Sequence, residues 1–75
     1  MKNKKIEEMS VAIVGLGVIG AAFAESFKNI GIKTVYGIDI DEMTIRKAED
    51  KGLITKGYLE TKEPLEKSDL VIITL

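Results

Sequence analysis

The 75 residues contain no cysteine, no histidine and no tryptophan, and a single proline. Without cysteine there is no disulfide framework and no thiolate metal site. Without histidine the chain lacks the commonest metal ligand and the commonest general base near neutral pH. No metal site and no catalytic residue is therefore assigned within it. Neither sign of charge dominates: 11 Lys and Arg face 12 Asp and Glu, for a net charge of −1. No excess of cations remains to neutralise nucleic-acid phosphates. A long apolar run is missing too. Val11 to Ala24 spans about 14 residues, interrupted by glycines, against the roughly 20 that cross a bilayer. The expected partners thus include neither nucleic acid nor membrane. The start, Met1-Lys2-Asn3-Lys4-Lys5, is basic like a signal peptide, but Glu7 and Glu8 follow it. No small-residue cleavage site closes the apolar run, so a cytoplasmic location is expected.

What is present is a strand–turn–helix pattern. Met9 or Ser10 to Val14 is a continuous β-branched apolar run, the signature of a strand buried on both faces of a parallel sheet. Gly15, Gly17 and Gly20 follow. Val18 to Ile30 then reads as a helix, with Ile19, Phe23, Phe27 and Ile30 on one face and Gly20 and Ala24 beside them. Gly31 suits the helix end. Thr34 to Ile38 is a second strand closed by Asp39. Asp41 is the expected N-cap of a second helix running to about Lys51, with Met43, Ile45 and Ala48 as its apolar stripe and Gly52 as its stop. A short third strand is expected from Leu53-Ile54-Thr55 and Tyr58-Leu59, interrupted by Gly57. A short helix over Pro64 to Lys67 and a fourth strand over Leu70 to Leu75 complete the order. Alternation of this kind gives an α/β fold, a partial Rossmann arrangement of parallel strands in the order 3-2-1-4 with helices on both faces. Residues 1–8 are expected to be a flexible lead-in. Residues 9–75 are expected to be the N-terminal half of a dinucleotide-binding domain.

The glycine triplet gains meaning from its surroundings. It follows a buried strand and opens a helix, a second strand comes next, and Asp39 ends that strand 19 residues after Gly20, where about 20 is expected. Gly15 allows the tight turn, Gly17 lets a pyrophosphate approach the backbone, and Gly20 lets the helix pack closely. N–H groups around Leu16, Gly17, Val18 and Ile19 would face the pyrophosphate at the positive end of the helix dipole. A carboxylate at Asp39 accepts from ribose hydroxyls and repels a 2′-phosphate, and Ile40 beside it offers no positive charge, so NAD is preferred to NADP. Arg46 and Lys47, a few residues later, keep NADP open. Thr74, at the end of the fourth strand, faces the same crevice and is a candidate cofactor contact. The remaining glutamates read as solvated surface, and Tyr36 and Tyr58 as packing residues.

The segments Ala12-Ile13-Val14-Gly15-Leu16-Gly17-Val18-Ile19-Gly20 and Val35-Tyr36-Gly37-Ile38-Asp39 resemble the opening of prephenate and arogenate dehydrogenases. Lys47-Ala48, Gly52-Leu53-Ile54 and Ser68-Asp69-Leu70-Val71-Ile72 agree with the resemblance, which covers residues 9–75. The glycine turn and Asp39 are shared with hydroxyacid dehydrogenases and pyrroline-carboxylate reductases. The resemblance implies a parent that uses NAD in the oxidative decarboxylation of prephenate to 4-hydroxyphenylpyruvate, with prephenate or arogenate as the small-molecule substrate. It also implies a catalytic histidine and a helical dimerisation domain, neither of which these residues supply, so the chain alone is expected to bind rather than catalyse. The competing expectations are a non-catalytic nucleotide-binding module and a truncated product that folds only by association. In isolation the edge strand Leu70 to Leu75 is expected to pair with another copy.

Overall fold

A computed structural model describes residues 4–74. Four parallel strands lie in the order β3-β2-β1-β4: β1 is Ser10–Val14, β2 Thr34–Ile38, β3 Lys56–Tyr58 and β4 Leu70–Ile73. Helix α1 spans Val18–Asn29, α2 Glu42–Asp50 and α3 Lys62–Lys67. Right-handed crossovers place α1 and α2 on one face and send α3 across the other on its way back to β4. The expected strand order is therefore the observed one. Leu75, the last residue of the anticipated fourth strand, lies outside the described residues, as do residues 1–3 of the lead-in.

β1 is the centre. Val11, Ala12 and Ile13 are fully buried, because helices cover both faces and a strand lies on each side. Val14 pairs in register with Ile38 of β2 and Ile73 of β4. The carboxyl ends of three strands thus align at one level, and between β1 and β4 the winding of the chain reverses. Ligands of open α/β sheets bind at this kind of crevice.

Three expectations about packing are corrected. Helix α1 meets the sheet through Gly20 and Ala24 as expected, but the large apolar stripe beside them is not buried with them. Ile19 is 63% exposed, Phe23 40% and Ile30 58%. Small residues face the sheet because the helix lies close against the turn and strands. Phe27 alone of the stripe packs partly against the core. In α2, Ile45 and Ala48 are buried but Met43 is exposed. Two residues advance a helix by about 200°, so Met43 and Ile45 cannot share a face. The third strand is centred on Gly57 rather than interrupted by it, and Gly57 pairs with Gly37. Ile45 of α2 presses where a Gly57 side chain would stand. Ile54 goes into the core, and Thr55 donates its N–H to Val35 O (2.7 Å).

The remaining boundaries follow local chemistry. Asp41 caps α2, accepting from Met43 N–H (3.0 Å) and from the Thr44 hydroxyl (3.0 Å). These bonds hold its carboxyl below the usual value of 3.8, the Thr44 hydroxyl contributing most. Helix α3 begins at Lys62, two residues before the expected start, with Pro64 still in the first turn, where its missing N–H costs nothing. In the lead-in, Ile6–Glu8 forms one turn of 3-10 helix. Lys4 Nζ reaches Asp69 at 2.8 Å, and Ser10 N–H donates to the same carboxylate (2.9 Å).

Candidate dinucleotide site

The turn after β1 is suspended between its two neighbouring strands. Gly15, at φ +94°, donates its N–H to Ile38 O of β2 (2.7 Å) and offers its carbonyl to the Thr74 hydroxyl beyond β4 (2.8 Å). A side chain here would adopt a strained left-handed backbone and run into Thr74. Gly20 is needed for space, since a Cβ would overlap the Gly15 carbonyl. Gly17 differs from both. Its φ is −67°, open to any L residue, and a Cβ would meet nothing within 4 Å. Neither the backbone nor the packing of the chain requires glycine there.

Gly17 is also the N-cap of α1, and its carbonyl receives Ala21 N–H (2.9 Å). The N–H groups of Val18, Ile19 and Gly20 precede the first intrahelical bond and have no helical partner. They form the positive end of a 12-residue helix. The side chains of Val18 and Ile19 stand outside, 89% and 63% exposed, so only their backbone is placed to serve the turn. Leu16 is different again. Its side chain is in the core, and its N–H donates to Asp39 Oδ2 (2.9 Å). It offers a ligand neither a free N–H nor an exposed side chain.

Asp39 stands at the carboxyl end of β2. Besides Leu16 N–H it accepts Asp41 N–H on Oδ1 (2.9 Å), so two backbone bonds fix the carboxylate plane. Each oxygen keeps acceptor capacity for a further donor. Gly15, Asp39, Ile40 and Thr74 line one crevice of about 370 Å³ together with Leu59 and Thr61. Ile40 (94% exposed) and Leu59 (57% exposed) supply its apolar surface. Leu59 and Thr61 escaped the sequence reading. They follow β3 at the same carboxyl end, and a correct boundary for that short strand would have pointed to them. No Lys or Arg lines the crevice. Arg46 lies in a separate groove with Glu42 and Glu49. Lys47 lies in the groove between α1 and α2, beside Gly17 and Val18. Among the described residues no cluster of His, Cys, Asp and Glu could hold a metal ion, and no helix is long and apolar enough to cross a membrane.

A family model, that of the NADPH-binding domain of acetohydroxy acid isomeroreductase, matches residues 5–75. The chain belongs to this family. It is 33% identical over 70 residues to the ketol-acid reductoisomerase (NADP(+)) of Sulfolobus acidocaldarius, covering 93% of this chain and 20% of that protein. Among solved structures it is similar to prephenate dehydrogenase from A. aeolicus, crystallised with hydroxyphenyl propionate and NAD+. The TM-score is 0.80 and the identity 35%, over 93% of this chain and 25% of the other. It is also similar to the NAD-complexed D-isomer specific 2-hydroxyacid dehydrogenase of Lactobacillus delbrueckii ssp. bulgaricus, with a TM-score of 0.75 and 25% identity, over 96% of this chain and 20% of the other. The chain therefore spans a fifth to a quarter of the length of these three proteins. Together these place it among the NAD(P)-binding Rossmann domains of oxidoreductases. The resemblance read from the sequence is one branch of that group.

Proposed function

We propose that the chain forms the adenosine and pyrophosphate half of an NAD site in a dehydrogenase of the prephenate type. The observation that carries the binding half is Gly17. A glycine that neither backbone nor packing requires, set at the open N-terminus of a helix, suits a ligand that must come close to the main chain. The pyrophosphate would sit over Gly17 against the N–H groups of Val18 and Ile19. The adenosine ribose would donate its hydroxyls to Asp39, beside Ile40 and Leu59. Bound NAD supplies the hydride acceptor for the parent's chemistry. This chain's residues hold the cofactor's phosphates and ribose and contribute no acid or base.

NAD is preferred to NADP because a 2′-phosphate would meet the Asp39 carboxylate with no cation in the crevice to offset it. The likeness to an NAD-bound prephenate dehydrogenase supports a parent that decarboxylates prephenate or arogenate oxidatively. The family model favours a second reading, a reductoisomerase domain that uses NADPH. A hydroxyacid dehydrogenase parent shares the NAD preference.

Calorimetric titration of the protein with NAD and with NADP separates the NAD-dependent dehydrogenase readings from the reductoisomerase one. We expect NAD to bind with an affinity about tenfold or more above that of NADP, a difference of roughly 1.4 kcal/mol. Equal or tighter binding of NADP overturns the NAD reading in favour of the reductoisomerase one. No binding of either at millimolar concentration overturns the site itself.

A further inference from the structure

We propose that Thr74 is a positioning residue that sets the phosphate-binding turn through Gly15, rather than a group that contacts the cofactor. The inference rests on the dinucleotide reading above and goes beyond it. The Thr74 hydroxyl lies 2.8 Å from Gly15 O and 3.3 Å from Val14 O. Both neighbours are carbonyls and can only accept, so the hydroxyl proton points into the turn. What remains toward the crevice is a pair of acceptor lone pairs, which have nothing to give an anionic phosphate. Direct phosphate recognition by Thr74 is thus chemically unsuited to its position, although it lines the crevice.

Its effect on the turn is specific. Thr74 N–H continues the β1–β4 ladder by donating to Val14 O (2.8 Å), so the residue's backbone is fixed before its side chain acts. The hydroxyl then holds the Gly15 carbonyl from the β4 side, while Ile38 O holds the Gly15 N–H from the β2 side. The next N–H, that of Leu16, is held by Asp39. Three anchors, two at the end of β2 and one at the end of β4, fix the two peptides that lead into Gly17. Of the three, Thr74 alone ties the turn to β4, so it is the residue through which β4 governs the aim of the Gly17 and Val18 N–H groups. The contact also fits the glycine: a Cβ on Gly15 would displace the Thr74 hydroxyl.

The test compares Thr74→Val, which keeps the shape and removes the hydroxyl, with Thr74→Ser, which restores it. Affinities for ADP and for adenosine are measured by NMR titration. In the unliganded protein, 15N relaxation of the Gly15, Leu16 and Gly17 amides is recorded. The expected result is a loss of about five- to tenfold in ADP affinity for Thr74→Val, the scale of one neutral hydrogen bond. Adenosine affinity stays unchanged, the turn amides become more mobile, and both effects are reversed in Thr74→Ser. A general structural weakening would lower both affinities alike and overturns the proposal. So does a Thr74→Val variant with wild-type ADP affinity and a rigid turn. If the wild-type protein binds neither NAD nor ADP, the cofactor reading fails, and the relaxation comparison still decides whether the hydroxyl orders the turn. Should Thr74→Val not fold, the unmodified protein decides. A slowly exchanging Thr74 hydroxyl proton with a cross-peak to the Gly15–Leu16 peptide supports the latch, and a hydroxyl in fast exchange with water overturns it.

Discussion

An alanine at Gly17 adds a methyl group to open space, whereas one at Gly15 forces a left-handed backbone into contact with Thr74. The two substitutions are therefore expected to separate stability from binding. Gly17→Ala should leave the urea midpoint unchanged or raise stability by up to about 1 kcal/mol, through the unfolded chain. It should weaken NAD binding by about tenfold or more, roughly 1.4 kcal/mol, as read by calorimetry. Gly15→Ala should lower stability by about 1–3 kcal/mol. An NAD affinity untouched by Gly17→Ala would remove the main support for a ligand over the turn. At this scale much was legible in the sequence: the three glycines, Asp39 and the Asp41 cap all act within a few residues of themselves or at an expected spacing. The second duty of Asp39 was not, because its partner Leu16 is 23 residues away and only the paired ends of β1 and β2 bring them together.

Among the elements, the least legible were those whose shape is imposed from outside. β3 has a glycine at its centre, a poor strand former, and it is in place because Ile45 of α2 packs over it. The large apolar residues of α1 suggested an inward face by their spacing, yet only Gly20 and Ala24 are buried. Periodicity reports a stripe but not what the stripe touches. The start of β4 shows a different kind of control. Asp69 binds Lys4 and Ser10 N–H, which keep its carboxyl below 3.8, the Lys4 ammonium contributing most. Lys67, and after it the Tyr58 hydroxyl, hold Glu63 below 4.5. A carboxyl lowered on folding stabilises the folded state above its unfolded value, and the contribution disappears as pH falls through the folded one. The thermal midpoint is thus expected to be level through the neutral range and to fall as pH drops below about 4. Asp69→Asn should flatten part of that fall, and a midpoint that rises on acidification would contradict the assignment.

For the molecule as a whole, the sheet has two edges, β3 and β4, and β4 is Leu-Val-Ile-Ile with Ile73 64% exposed. An apolar edge with unpaired backbone groups and no charge of its own invites pairing. Val18, Ile19 and Phe23 on α1, and Ile30 just after it, add further apolar surface. Sedimentation velocity over a concentration series is expected to show reversible self-association of the 75-residue chain. Ile73→Lys, which places a charge on the edge, should reduce it. A monomer at all concentrations would show that this edge is protected in some other way.

The bond from Leu16 N–H to Asp39 also bears on how such a domain could change its cofactor. Making room for a 2′-phosphate means removing the carboxylate, and its removal leaves the Leu16 and Asp41 N–H groups without acceptors. A single exchange to alanine would loosen the turn and the entry to α2 as it lifted the repulsion, losing affinity for both dinucleotides. Asparagine, which keeps one carbonyl oxygen at the carboxylate position for Leu16 N–H, is the exchange through which cofactor choice could drift with the turn still held.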